Sequence, residues 1–200
     1  MSRTILVLYY SRHGTTEALA REVTAGIDRT PGATAKLRTV PTVSADTEAS
    51  IDDIPDAGPP YASVDDLSTC DGLVLGAPTH FGNMPAAMKH FWDGTTPLWL
   101  AGALVDKPAG LFTSTGSLHG GQETTLLTMA IPLLHHGMLI AGLPYTEAEL
   151  TATKTGGTPY GASHVSFNRG PGDSLSAEEK TLAAALGERV ARIAVRLAAD

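Results

Sequence analysis

The sequence predicts a doubly wound α/β domain, a five-stranded parallel sheet with helices on both faces. Three observations point there. Short, unbroken apolar runs recur along the chain, a polar turn follows each, and helical periodicity follows most of the turns. A strand buried on both faces reads as a continuous apolar run, because neither face can alternate with polar residues. Strand-turn-helix units in series favour parallel pairing.

The elements follow in order. Thr4–Tyr10 is apolar and rich in β-formers, and after the turn Ser11–Thr16 come Leu19, Val23 and Ile27, four apart on one helical face. Ala35–Val40 reads as the next strand and Gly72–Ala77 as the third. The turn Pro78–Asn83 leads to a helix over Pro85–Thr95, with Pro85 in its first turn. Ala109–Thr113 is a strand, Ser114–Gly121 a turn, and Gln122–His136 a helix that Pro132 is expected to kink or shorten. Met138–Ala141 is a short strand. The last helix starts after Ser176, with Glu179 completing a capping-box signature, and carries the stripe Leu182, Leu186, Val190, Ile193 and Leu197. This order and strand count favour the flavodoxin-like arrangement in one domain over residues 1–200. Two stretches, about 41–63 and 142–172, read as insertions.

Charge and composition exclude several classes. The 200 residues hold 14 Lys+Arg and 21 Asp+Glu, a formal charge of −7. Eight of the acids lie between Thr39 and Met88, where no Lys or Arg occurs, and residues 46–66 read as a solvated or subunit-facing loop. Nucleic-acid binding needs a basic stripe, and none is visible. The longest apolar run near the N-terminus, Ile5–Tyr10, is far short of the ~20 residues a membrane span requires. Cys70 is the sole cysteine. That fits a reducing cytoplasm and leaves no multi-Cys zinc site.

Three turns carry the chemistry. Ser11, Arg12, His13, Gly14, Thr15 and Thr16 stand between a strand and a helix, where backbone N–H groups suit an anion and hydroxyls add donors. Neither a Gly-Lys-Ser/Thr ending nor a G-x-G-x-x-G pattern is present, so a single phosphate monoester fits better than a nucleoside triphosphate. Pro78, Thr79, His80, Phe81, Gly82 and Asn83 combine a flat ring with amide donors. Ser114, Thr115, Gly116, Ser117, Leu118, His119, Gly120 and Gly121 are rich in Gly and hydroxyls. Each could be a plain turn. Together, after three strands of one sheet, they predict a slot for a planar ring with a phosphate tail. Adjacent His135 and His136 face different ways and cannot chelate one metal. His136 reads as a helix-end or core contact, His119 and His164 as loop histidines, and Cys70 as an inert buried thiol. No metal and no nucleophile is expected.

Leu6–Ser11, Pro78–Met84, Ser114-Thr115-Gly116 with Gly120–Glu123, His135–Met138 and Gly156–Gly161 together resemble the WrbA-type NAD(P)H:quinone oxidoreductases, over about residues 3–198. The resemblance implies a flavodoxin-like fold, non-covalent FMN, and two-electron ping-pong reduction of quinones by NADH or NADPH. It implies a homotetramer, a dimer of dimers, whose subunit contacts help wall the site. Ser11–Thr16 would hold the FMN phosphate, while Thr79, His80, Phe81, Gly82 and Asn83 would line one side of the isoalloxazine. Ser114–Gly121 would line the other side, and His135 would reach the flavin region. Trp99 would pack beside the substrate, and His13 stands at the position associated with the nicotinamide. The family commonly has Tyr at 13 and Arg at 80. No Arg role passes to His80, because imidazole titrates near neutrality. A second reading is a flavodoxin-like FMN electron carrier, or a flavin-binding partner protein, without NAD(P)H activity of its own. Trp99 and the 142–172 stretch favour the enzyme.

Overall fold

A computed structural model describes residues 2–44, 55, 58–167 and 174–198. Strands β1 (Arg3–Tyr9), β2 (Ala33–Thr39), β3 (Gly72–Pro78), β4 (Pro108–Thr115) and β5 (Leu139–Ile140) form a parallel sheet in the order β2-β1-β3-β4-β5, with β6 (Ala162–Val165) also paired to β4. In this register Val7 lies between Leu37 and Val74.

Alternate residues of β1 enter two separate cores, as the two-residue period of a strand demands. Ile5 and Val7 pack with Leu19, Val23 and Ile27 of α1 (Thr15–Asp28) and with Leu182, Leu186 and Val190 of α7 (Ala177–Leu197). Leu6 and Leu8 pack on the other face, with Leu67 of α2 (Val64–Thr69), Met88 and Trp92 of α3 (Ala86–Asp93), and Leu126, Met129 and Leu133 of α5 (Gln122–His135). Helices α1 and α7 touch backbone to backbone. A Cβ on Gly26 would stand 2.0 Å from the Ala184 carbonyl oxygen, and one on Gly187 2.2 Å from that of Val23.

Several expectations change. The fifth sheet position is shared: β5 pairs with Pro108 and Ala109, while β6 pairs with Phe112–Thr115. Residues 162–165, read as part of an insertion, therefore belong to the sheet. The true excursion is about 141–161 and carries α6 (Glu149–Ala152). His164 is a buried strand residue, not a loop histidine. Pro132 does not end α5, which runs to His135. Proline removes only its own N–H, and the His136 N–H still reaches the Pro132 carbonyl at 3.1 Å. Pro85 is the N-cap of α3, and a further short helix, α4 (Thr96–Leu100), follows it.

Most of the acidic 46–66 stretch lies outside the described residues. Its end does not behave as a solvated loop. Asp66 is buried in α2, where it accepts the Ser63 N–H at 2.8 Å and pairs with Lys36 and Arg38 of β2. Burial by itself would raise this carboxyl, but Lys36 and Ser63 outweigh it and hold it below the usual range. Among the described residues no helix is long and apolar enough to cross a membrane.

Candidate active site

Strands β1, β3 and β4 are sheet neighbours, so the loops leaving their C-terminal ends meet at one edge. The first loop ends at Gly14, which heads α1 at φ +89° with no side-chain cap, while the Ser11 hydroxyl accepts the Gly14 N–H at 3.0 Å. The first N–H groups of a helix have no partner within it, so this end offers donors to an anion. Thr16 is buried, and its Oγ1 lies 2.8 Å from Ser114 Oγ; Thr15 donates to the same oxygen at 3.2 Å. The first and third loops are thereby pinned together.

The second loop is pinned to the third as well. The Thr79 N–H donates to the Ser114 carbonyl at 2.9 Å, and Thr125 of α5 donates to Thr79 Oγ1 at 2.7 Å. His80 and Asn83 exchange backbone hydrogen bonds of 2.7 and 3.0 Å around a tight turn, with Phe81 at φ +53° and Gly82 at φ +78°. A bulky residue at positive φ is strained by roughly 1–2 kcal/mol. The turn holds the Phe81 ring fully out in solvent. The third loop ends at Gly121, φ +101°, which heads α5, again without a side-chain cap.

The three loops enclose a cavity of about 390 Å³ lined by Arg12, His13, Thr15, Pro78, Thr79, His80, Ser114, Thr115, Gly116, Ser117, Gly120 and Ser166. Leu118, His119 and Gly121 face instead a cavity of about 520 Å³ on the other side of the third loop, toward Lys154 and Thr155. Trp99 and His135 lie together in a third cavity of about 550 Å³, with Asn83, Met84 and Trp92. Within one chain, Trp99, expected beside the substrate, and His135, expected at the flavin, thus lie in a different hollow from Arg12, His13 and Thr15 of the first loop.

The remaining titratable groups divide cleanly. His136 is a core contact: Thr95 Oγ1 lies 3.0 Å from its Nε2 and Trp92 packs edge-on to its ring. Burial, and then neighbouring His135, lowers its pKa. Burial pushes the Cys70 thiol up to about 11, which makes it a poor nucleophile. Glu179 is buried beside His164, whose Nδ1 is 2.8 Å away, and it accepts the N–H groups of Gly156 and Ser176 at 2.8 and 2.9 Å. Burial by itself would raise this carboxyl, but His164 and those N–H groups outweigh it and bring it down to about 2. It is a structural carboxylate and does not line the cavity.

The 390 Å³ cavity fits a phosphorylated flavin. Its size falls within the roughly 300–1,000 Å³ of small-molecule sites. Its lining is hydroxyls, imidazoles, Arg12 and glycines, with no carboxylate among its described residues, and it adjoins the uncapped end of α1. Residues 4–147 match the family of NADPH-dependent FMN reductases. The chain belongs to that family.

Relatives of this FMN reductase family member extend the match to nearly full length. It is 43% identical to a NAD(P)H dehydrogenase (quinone) of Geobacter sulfurreducens, across 96% of this chain and 98% of the relative. It is 42% identical to one from Gluconacetobacter diazotrophicus, across 98% of each chain. Among solved structures, a WrbA-like flavodoxin from Agrobacterium tumefaciens superposes with a TM-score of 0.67 at 23% identity, covering 98% of this chain and 99% of that one. An archaeal flavodoxin superposes with a TM-score of 0.62 at 17% identity, covering 96% and 99%. The flavodoxin-like fold and the WrbA-type resemblance are both borne out.

Sequence reasoning missed Ser166, which lines the cavity and donates its N–H to the Thr115 carbonyl at 2.8 Å. The run Ala162–Phe167 holds β-formers that could have marked a strand.

Proposed function

We propose that this protein is an FMN-dependent NAD(P)H:quinone oxidoreductase. The observation that carries the flavin part is the acid-free cavity at the uncapped start of α1. The quinone and NAD(P)H parts draw support from the full-length relatives named NAD(P)H dehydrogenase (quinone).

Ser11, Arg12, His13, Gly14, Thr15 and Thr16 hold the phosphate through backbone N–H groups and hydroxyls. Pro78, Thr79 and His80 form one wall for the ring, and Ser114–Ser117 with Gly120 the other; Phe81, Gly82 and Asn83 shape the turn behind the first wall, and Leu118, His119 and Gly121 the far side of the third loop. The bound flavin supplies two-electron hydride chemistry, so the protein contributes position, donors and exclusion of water. Nicotinamide and quinone take the same place in turn, beside His13 and Trp99, in a ping-pong order. Trp99 and His135 line a hollow apart from the phosphate loop, and half-exposed Trp99 adjoins exposed Leu100. They complete the slot across a subunit contact in a homotetramer. The chain folds as one cytoplasmic domain, a setting that accords with its single, buried cysteine.

Purified protein mixed with FMN, NADPH or NADH and benzoquinone should turn yellow, retain flavin on gel filtration and oxidise the nucleotide steadily. Absence of flavin binding refutes this function. Flavin binding without nucleotide oxidation leaves an electron carrier instead.

A further inference from the structure

Gln122 opens α5, is 9% exposed, and spends its side-chain amide on partners outside its own helix. Its Nε2 donates to the Leu118 carbonyl at 3.0 Å, and its Oε1 accepts the hydroxyl of Ser163 in β6. Ser163 Oγ in turn accepts the Gly157 N–H at 2.7 Å. Both ends of this chain have forced polarity, since a backbone N–H only donates and a carbonyl only accepts. The Ser163 proton therefore points at Gln122. A flipped amide would set acceptor against acceptor at Leu118.

The chain of bonds spans three parts of the molecule. It starts in the excursion at Gly157, beside Gly156, whose N–H is anchored on Glu179 at 2.8 Å. It crosses the sheet at Ser163, which is fully buried. It ends in the loop after β4, where Ser117 and Gly120 line the 390 Å³ cavity.

We propose that Gln122 is a positioning residue for the flavin slot: it holds the Leu118 carbonyl, and with it loop 116–121, in register with the excursion. It does not itself line that cavity. This rests on the reading that FMN occupies the cavity.

Gln122→Glu tests it, because a carboxylate has the shape of the amide but only acceptors, while a protonated carboxyl can donate to Leu118 again. Desolvation raises a buried carboxyl's pKa, so protonation comes within reach of mildly acid buffer. FMN affinity is read by fluorescence titration, and the opening of residues 116–121 by amide hydrogen exchange, each against wild type at the same pH. Gln122→Glu and Gln122→Leu should both weaken FMN roughly tenfold at neutral pH and speed exchange in 116–121. Below about pH 5, Gln122→Glu should recover to within about twofold of wild type while Gln122→Leu does not. Wild-type affinity in both variants, or identical pH profiles for the two, overturns the proposal. If either variant does not fold, Ser163→Ala removes the relay hydroxyl and leaves Gln122 in place; unchanged affinity and exchange there overturn it equally. Failure of the wild type to bind FMN refutes the flavin reading instead, and exchange in 116–121 then still decides whether Gln122 holds the loop.

Discussion

Two pairs of helix starts in this molecule are built in opposite ways. Helices α2 and α7 open with full capping boxes, Ser63 with Asp66 and Ser176 with Glu179, whose side chains and backbones satisfy one another. Helices α1 and α5 open on Gly14 and Gly121 in left-handed conformation, with no side-chain cap. The boxed pair also recruits distant partners: Lys36 and Arg38 reach Asp66, and His164 and Gly156 reach Glu179. The glycine pair stands at the sheet edge where β1 and β4 end. A missing cap costs about 1 kcal/mol of helix stability. The difference teaches that the boxed starts satisfy their N–H groups within the chain and so stabilise the fold, while the start of α1 keeps its own beside the 390 Å³ cavity, where the proposed phosphate would take them up.

That contrast breaks in distinct ways. Glu179→Ala should have the largest effect, about 4 kcal/mol of stability, because His164 and the N–H groups of Gly156, Val165 and Ser176 lose a buried partner. Its pH dependence has a definite sign. The carboxyl's folded value of about 2 lies below its ordinary 4.5, so its stabilisation is complete above pH 4.5 and disappears as pH falls toward about 2. Urea melts of wild type and variant should converge across that window; a constant gap would contradict the assignment. Gly14→Val comes next. No atom lies within 4 Å of an added Cβ, so the change acts through the backbone conformation at φ +89°. FMN affinity should fall on the order of 100-fold, equivalent to about 2.7 kcal/mol, while the melt of the flavin-free protein falls by the roughly 1–2 kcal/mol that the left-handed backbone costs. Retained flavin would remove the phosphate from the start of α1. Ser63→Ala should be the smallest, about 1 kcal/mol of stability with FMN affinity unchanged. A loss of flavin in that variant would mean the two kinds of helix start are coupled.

Much of this was legible in the chain itself. The unbroken apolar run of β1 announced a strand buried on both faces, and Ser176 with Glu179 announced the start of α7. The turns after β1, β3 and β4 stood out as polar, Gly-rich punctuation. Other features had no local signal. Asp66 sits in an acidic stretch that reads as solvated, and its burial depends on Lys36 and Arg38 from a strand some thirty residues earlier. His164 reads as a loop residue because β6 is only four residues long and follows a Gly- and Pro-rich excursion. Its pairing is set by β4, not by its own neighbours.

The class of fold and the three polar loops are legible from the chain alone, because strand periodicity, glycine and helix-start chemistry act over a few residues. How those loops share one wall, through Ser114 bonding Thr15, Thr16 and Thr79, depends on the packing of strands far apart in the chain. The same long-range packing separates Trp99 and His135 from the loop after β1, and splits the fifth sheet position between β5 and β6. The physical reason is range. Propensity and capping are local, whereas sheet order, buried ion pairs and cavity walls join residues that the chain keeps tens of positions apart.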